Sequence, residues 1–404
     1  MADQLDVLDV EKINLIVNGQ NVFEPGNNKL FFRGLVAEES IESPFVTGCI
    51  YVDDPTDFRR TINWNSSLSI SYKPHLSSIV RFPNIHVYKI EKVTDNADTK
   101  LTSSKRVIYG LHFISKSYLN TQQAAATKTF INTSPYSIYS YLCSMIGDTA
   151  ITGTAQPKPI SIKFDNQRFQ ECVNLLNEKI DAIPKCCYMK LFYIRESGIG
   201  VKMLSDVLFT GPSVNGTFTK YSNQAQLGQD KNSILWNVAN QEVDTTNNPF
   251  VNLDVGTYNV STGNLYIKFN PPVSINVNIN TRKIFNEYFP LNPGKQMKLF
   301  RNNNTSEKTG ILNLELAKKY RLVMTAHEKQ HTGYMCVPAN NSLKVGNRIR
   351  LNIPVEVDDA YQKTIGNRNS GNALVTGIRH NVQMNTGRAK GEMVVTYFNP
   401  SWRI

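Results

Sequence analysis

The stretch LKVGNRIRLNIP, residues 343–354, carries the clearest structural signal in the chain. Its apolar side chains fall on alternate positions, namely Leu343, Val345, Ile349, Leu351 and Ile353. A period of two residues is typical of a β-strand that buries one face. Pro354 has no backbone N–H to donate, so we expect the strand to end there.

Two more strand patterns follow before the C-terminus. Residues 373–384 alternate again, although Thr376 and His380 interrupt the apolar face. Residues 392–398 form the next apolar run, and Asn385-Thr386-Gly387 separates the two runs as a turn whose glycine can adopt a positive φ. The chain is therefore predicted to close on an antiparallel β unit.

The first 115 residues also read as β structure. Residues 13–17 place apolar side chains on one face and lead into Asn18-Gly19, a strong hairpin signal. Further short strands are predicted at 29–36, 46–52, 68–72, 86–93 and 105–114. Many short strands without a helical pattern predict a β-barrel or a β-sandwich.

The pattern changes after residue 115. Ser134-Pro135 is a typical helix start, and apolar residues then recur at helical spacing until Gly147. A second helix is predicted over residues 169–183 and a hairpin over residues 187–204. Helices and a hairpin in this order indicate a small α+β domain.

The sequence divides into four predicted segments. A first β-barrel occupies residues 1–115, and the α+β domain occupies 116–210. Residues 211–310 are rich in Asn, Gly, Thr and Ser, with short strand candidates at 264–269 and 273–279, so we expect an irregular insertion of loops and small β additions that can include part of the second barrel. Residues 311–404 form the second barrel, which is the closing unit.

Composition sets broad limits on function. The 404 residues include 44 Lys and Arg against 33 Asp and Glu, which gives a net charge of +11. The basic residues are spread along the chain, so the signal for nucleic-acid binding is weak. Six cysteines without metal-ligand spacing predict reduced thiols in a protein that folds in a cytoplasm. We expect no signal peptide and no membrane insertion, because no apolar run approaches the ~18 residues of a membrane span.

One motif matches a catalytic site by its letters. His327, Glu328 and His331 have the spacing that binds zinc on a helix, with the glutamate as general base. Residues 321–325 read as a strand and Thr332-Gly333 follows directly, so too little length is left for that helix. We favour a polar hairpin tip, and zinc hydrolysis stays as a distant alternative. We expect no catalytic, cofactor-binding or metal-binding residue elsewhere.

Three groups of residues form a pattern that is recognisable by its order and spacing. An early strand carries Glu39, Ser40, Ile41, Pro44, Gly48 and Asp53. The strand YGLHFIS, residues 109–115, contributes Tyr109, Phe113 and Ser115, and the closing unit contributes Gly346, Pro354, Val375 and Arg379. In this order and spacing the chain resembles the baseplate hub proteins of contractile-tailed bacteriophages, a tail-tube-like family shared with related contractile injection systems. The resemblance covers residues 12–205 and 310–400.

The resemblance implies a mainly β fold with an α+β insertion, in which two tail-tube-like antiparallel barrels carry the inserted domains. It also implies a structural protein that is not an enzyme and needs no cofactor. A homotrimer would form a pseudo-sixfold ring that joins the sixfold tail tube to the threefold central spike and lets DNA pass on ejection. The implied partners are the spike, the tail tube protein and surrounding baseplate proteins, in a virion tail assembled in the host cytoplasm.

Other functions stay open at this point. A hub of a type VI secretion system or of a bacteriocin-like injection system would share the assembly and differ in its cargo. A β-rich receptor-binding or carbohydrate-binding tail protein would need clustered exposed aromatic residues, and the three tryptophans at 64, 236 and 402 are dispersed. We therefore favour the phage hub.

Overall fold

A computed structural model describes most of the two ends of the chain and little of its middle. The described residues are 6–24, 30–93, 108–154, 157–181, 189–203, 215–221, 230–239, 258–259, 264–265, 274–275, 298–299, 332–353, 371–385 and 387–398.

The N-terminal part is built from strands, as the alternating sequence predicted. These are β1 (Asp9–Val17), β2 (Gln20–Asn21), β3 (Phe31–Ser40), β4 (Ser43–Asp53), β5 (Leu68–Pro74), β6 (Val80–Val93) and β7 (Ile108–Ser115). A short 3-10 helix at Phe58–Thr61 lies between β4 and β5. The Asn18-Gly19 turn is confirmed, because β1 pairs with β2 across it.

The inserted part mixes helices and strands. Its elements are α1 (Lys116–Gln123), β8 (Ala125–Thr133), α2 (Pro135–Met145), β9 (Ala150–Thr152), β10 (Ile160–Arg168), α3 (Phe169–Asp181), β11 (Met189–Ile194) and β12 (Gly198–Met203). The two predicted helices and the hairpin are confirmed as α2, α3 and β11–β12. Helix α1 was not predicted, because it buries only Ser117 and Thr121 and so has no apolar stripe.

The remaining strands lie in the second half of the chain. They are β13 (Thr217–Thr219), β14 (Trp236–Ala239), β15 (Tyr258–Asn259), β16 (Asn264–Leu265), β17 (Ser274–Ile275), β18 (Lys298–Leu299), β19 (Thr332–Pro338), β20 (Arg348–Asn352), β21 (Gly371–Asn385) and β22 (Arg388–Phe398). Strands β15–β16 and β17–β18 pair only with each other among the described residues. The rest of the predicted strands at 264–269 and 273–279 lies outside the described residues.

Eight antiparallel strands close into a barrel. Their order is β21-β3-β4-β7-β6-β5-β1-β22, and the pairing of β21 with β22 closes the circle. Six of these strands come from the N-terminal part of the chain, and the C-terminal hairpin β21–β22 supplies the other two. We call this closed unit the first barrel.

The same hairpin also belongs to a second, smaller ring. Strand β21 pairs with β3 through Gly377–Gln383 and with β20 through Gly371–Leu374, while β22 pairs with β19 along its C-terminal half. The order is β13-β20-β21-β22-β19-β14, and its two ends approach each other where Thr219 of β13 bridges Ser233, which precedes β14. The pairing of β13 with β20 is parallel, and the other strand pairs of this second ring are antiparallel.

Both rings bury their inner side chains in one continuous apolar core. Buried residues of the first barrel, such as Leu35 and Phe113, belong to the same cluster as Met335 and Ile349 of the second ring. The inserted part has its own core between its helices and short sheets, with Leu142, Phe164 and Leu176 at its centre. The fold is therefore mainly β with an α+β insertion, which confirms the predicted fold class.

Gly48 is required by close packing between neighbouring strands of the first barrel. A Cβ atom at this position would lie 2.3 Å from the carbonyl oxygen of Val36 and 2.5 Å from Cζ of Phe113. The oxygen belongs to the backbone of β3 and cannot swing away. The presence of glycine at this predicted motif position thus has a steric reason.

We expect Gly48→Ala to destabilise the protein by roughly 1–3 kcal/mol, the usual cost of overpacking a well-packed core. Gly34→Ala is the matched control, since its Cβ would lie 3.5 Å from its nearest neighbours, which is ordinary contact. Urea unfolding of both variants measures the difference. Equal stability of the two variants would contradict the packing argument.

Candidate functional site: a buried charge network where three parts of the chain meet

Four polar side chains from distant parts of the sequence meet inside the protein. Glu39 lies on β3, Tyr72 on β5 and His380 on β21, while Arg195 follows β11 of the inserted part. All four are fully or almost fully buried. The site thus joins the first barrel, the shared hairpin and the α+β insertion.

Glu39 is the centre of the network. Its Oε1 lies 2.7 Å from Nε2 of His380 and 2.8 Å from Nε of Arg195. The other ring nitrogen of His380, Nδ1, lies 2.7 Å from the hydroxyl oxygen of Tyr72. One carboxylate therefore holds a cation from the insertion and an imidazole from the hairpin.

Arg195 also reaches the loop that leads into the second ring. Its Nη1 donates to Oδ1 of Asn341 at 3.2 Å, and its Nη2 donates to the carbonyl oxygen of Leu343. In return, Nζ of Lys344 lies 3.5 Å from the carbonyl oxygen of Arg195. The guanidinium therefore connects the first barrel with the stretch that opens the closing unit.

The network is balanced with one negative and one positive charge when His380 is neutral. Burial alone would raise the pKa of Glu39, but the Arg195 guanidinium and the His380 hydrogen bond outweigh it and lower that pKa. Burial lowers the pKa of His380. A neutral imidazole can donate from Nε2 to Glu39 and accept at Nδ1 from Tyr72, whose pKa burial raises.

Local structure explains why Arg195 can reach this position. Phe192 and Tyr193, just before it, belong to the main apolar core, so β11 is anchored against the rings. A turn follows, with Glu196 at φ 64° and Gly198 at φ 122°. Phe192 packs over Gly346, where a Cβ atom would lie 2.8 Å from its ring and where φ is +79°. The glycine of the predicted closing motif therefore makes room for the insertion.

The other motif positions mostly fix strands and strand ends. The hydroxyl of Ser115 accepts a hydrogen bond from the backbone N–H of Val46 at 2.9 Å, and Asp53 pairs with Arg33 at 3.0 Å. The ring of Tyr109 lies 3.9 Å beneath the guanidinium of Arg59.

Further motif residues tie the hairpin to its neighbours. The backbone N–H of Ile41 donates to Thr376 at 2.8 Å, and that of Val375 donates to Asn347 at 2.9 Å. Ser40 accepts from the backbone of Glu42, Phe113 packs at Gly48, and Arg379 lies 3.6 Å from Glu38. Pro44 is half-buried on β4, and Pro354 lies outside the described residues.

The sequence predicted only part of this site. Glu39 was singled out through the family motif, and His380 was noticed as a break in an apolar face. Arg195 was missed, because an arginine between an apolar strand and a Glu-Ser-Gly turn is typical of an exposed position. One signal in the sequence could have indicated the site. His380 lies between Ile378 and Val382 on the apolar face of β21, and a buried imidazole requires a polar partner.

Metal binding and membrane insertion have little support in the described part of the chain. There, no group of three or more His, Cys, Asp and Glu side chains is placed to hold a metal ion. None of the described helices is long and apolar enough to cross a membrane. Residues 327–331 lie outside the described residues, so their interpretation as a hairpin tip stays a prediction.

The described cysteines are all buried free thiols. They are Cys49, Cys143, Cys172 and Cys336. Burial raises the pKa of each of them, to about 12 for Cys143 and Cys336. These thiols therefore act as core residues, as the sequence predicted.

Comparison with known proteins identifies the fold. No family model and no curated protein sequence matches the chain. A 43 kDa tail protein of prophage MuSo2 from Shewanella oneidensis has a similar structure, with a TM-score of 0.54 and 9% sequence identity over 97% of this chain and 99% of that one. A tail protein from Neisseria meningitidis MC58 gives a TM-score of 0.57 and 9% identity over 96% and 97% of the two chains.

A third structure is more distant. A type VI secretion component of E. coli aligns over 95% of this chain with a TM-score of 0.45, below the level that supports a shared fold. The first two structures show that this chain shares the fold of these two tail proteins. This confirms the predicted resemblance at the level of fold.

We expect Arg195→Met to destabilise the protein by about 3–5 kcal/mol, because it leaves the buried Glu39 carboxylate without its cation. Arg379→Met is the matched control, since its pair with Glu38 is exposed and should cost at most about 1 kcal/mol. Chemical denaturation of both variants measures the two losses. Similar small losses would show that the buried pair does not hold the junction.

Stability should also fall as the pH drops below His380's ordinary pKa of 6.5. The folded protein keeps His380 neutral and the unfolded chain protonates it, so the unfolded state binds more protons and acid favours it. Glu39 adds a further loss below its ordinary pKa of 4.5. Urea unfolding at several pH values measures this effect. Between about pH 7 and 5, the free energy of unfolding should change less steeply with pH in His380→Gln than in the unsubstituted protein. The free energy of unfolding of this variant should still depend on pH, because burial also lowers the pKa of His86.

Proposed function

We propose that this protein is the structural baseplate hub of a contractile phage tail. The observation that carries the proposal is the fold that it shares with two tail proteins, one of them from a prophage, in alignments that cover 96–97% of this chain. The buried network supports a structural role, because its ion pair and its imidazole link three parts of the chain and are closed to solvent. A protein of this kind acts through its shape and not through a catalysed reaction.

The architecture suits a symmetry adaptor. One chain carries two β rings that share a hairpin and a core, so each ring is built partly from the same strands. Three such chains around a threefold axis would place six β rings in a circle. A pseudo-sixfold ring of this kind can contact a sixfold tail tube on one side and a threefold spike on the other.

The proposal includes its partners and its location. The tail tube protein would bind one side of the ring, the central spike the other, and surrounding baseplate proteins the outside. When the spike leaves, the open ring would let DNA pass. The protein would be a virion component assembled in the host cytoplasm. The division of the chain at residues 115, 210 and 310 stays part of this proposal, with the hairpin β21–β22 of the last segment shared between the first barrel and the second ring.

We expect the purified protein, mixed with its spike, to contain three copies, with a contribution of roughly three times 45.6 kDa to the mass of the complex. Light scattering behind a sizing column measures this mass for the protein alone and with the spike. Three copies in either condition support the hub. A monomer in both conditions would contradict it.

A further inference from the structure

A cavity of about 420 Å³ lies where the inserted part meets the first barrel. Its walls come from β6, from the end of β7, from helix α1, from the segment that follows α2 and from the turn between β11 and β12. Sites for small organic ligands have volumes of this order. The cavity is therefore large enough for a small molecule or for a long side chain of another protein.

Hydrogen bonds hold the walls of this cavity together. The side-chain amide of Asn120 on α1 donates to the carbonyl oxygen of Ile146 at 2.7 Å, at the end of α2. The backbone N–H of Ile199 on β12 donates to the carbonyl oxygen of Thr149 at 2.8 Å. A ligand would thus enter a site that is already formed and would not have to order a loop.

The charge of the cavity differs in sign from that of the chain. Its charged lining side chains among the described residues are Lys116, Asp148 and Glu196. One cation and two anions leave the cavity with a net negative charge, whereas the whole chain carries +11. Within the described part of the chain, neither carboxylate forms an ion pair with a basic side chain. The cavity therefore attracts a cation.

Asp148 is the more buried of the two carboxylates. Its Oδ1 accepts from the backbone N–H of Thr149 at 2.9 Å, and the carboxylate also accepts from the hydroxyl of Ser117. Both donors are neutral, and burial raises the pKa of Asp148 in spite of them. A hydrogen bond from a charged donor is about twice as strong as one from a neutral donor, so a cation would stabilise this carboxylate further.

Two more features of the walls suit a cation. The end of α2 lines the cavity, and the last carbonyl groups of a helix carry the negative end of its dipole. Tyr193 lies in the same wall, is 6% exposed, and has a hydroxyl without a hydrogen-bond partner among the described residues. Burial raises the pKa of Tyr193, and the charges of Glu39, Asp148 and Glu196 raise it further. Its hydroxyl oxygen is thus an unused acceptor in negative surroundings.

We propose that this cavity binds a primary ammonium or guanidinium group, with Asp148 and Glu196 as its anionic partners. Lys116 would face the carbonyl or anionic part of the same ligand. The cationic group can belong to a free small amine or to a lysine or arginine side chain of a partner protein, because both present the same chemistry. A metal ion fits less well, since Ca²⁺ takes about six to eight oxygen ligands and only two carboxylates line the cavity. This site goes beyond the hub function and does not depend on it.

Titration of the purified protein, followed by nuclear magnetic resonance, tests the proposal. The charged probes are N-acetyl-arginine methylamide and N-acetyl-lysine methylamide. The uncharged probe is N-acetyl-citrulline methylamide, which has nearly the shape of the arginine probe. We expect the arginine probe to bind at least about tenfold more tightly than the citrulline probe, because hydrogen bonds to charged groups are the stronger ones. Equal affinities would overturn the proposal.

Substitutions locate the binding. Asp148→Asn keeps the volume and an acceptor oxygen but removes the charge, so it should weaken binding of the arginine probe at least about tenfold. Glu196→Gln, at an exposed position, should weaken it less and keeps the test open if Asp148→Asn does not fold. Asp165→Asn on β10 is the matched control, because its side chain is 72% exposed and lies outside the cavity. Affinities that are the same in all three variants would overturn the site.

Spermidine distinguishes the two sources of the cation. Tighter binding of spermidine than of the capped residues, lost in Asp148→Asn, would assign the cavity to free amines. Tighter binding of the capped residues would assign it to a side chain of a partner protein. Either result supports the site, whereas a lack of binding by spermidine and by both charged probes would overturn it.

Discussion

The hairpin β21–β22 is the element on which both rings depend. Each of its strands is long enough to pair with two different neighbours. Strands β21 and β22 pair with β3 and β1 in the first barrel, and with β20 and β19 in the second ring. Neither ring can close without it, because the remaining strands would end in unpaired edges that expose backbone N–H and C=O groups. The hairpin therefore has to pair with the N-terminal strands β1 and β3 before the first barrel is complete.

The buried network adds specificity to this arrangement. A buried ion pair contributes little net stability when compared with apolar side chains of similar size, because desolvation of the two charges offsets their attraction. It does, however, penalise every packing that separates the partners. Glu39, Arg195 and His380 come from three distant parts of the sequence, so only the observed docking of barrel, insertion and hairpin satisfies all of them. The helices of the insertion pack in one core with strands β11 and β12, and Arg195 lies between these two strands.

Local patterns in the sequence were sufficient to predict many of the strands. The alternation in residues 13–17 and 373–384 has a single physical cause, the burial of one face of a strand, and it needs no knowledge of the partners. The helices α2 and α3 were predicted for the same reason, through an apolar stripe that faces the core. Alternation could not show that residues 377–383 pair with β3, because register between distant strands depends on the whole fold. Arg195 was missed for a related reason, since its burial is set by tertiary contacts and not by its neighbours in the sequence.

The hub interpretation depends on the fold and on the way in which the two rings are joined. Two rings that share a hairpin and a core provide the geometry for a sixfold arrangement from three chains. Electron cryomicroscopy of the protein bound to its spike would test this account most directly. The account predicts three copies whose six β rings surround a central passage. A reconstruction with another number of copies, or with a single copy on the side of the spike, would contradict it.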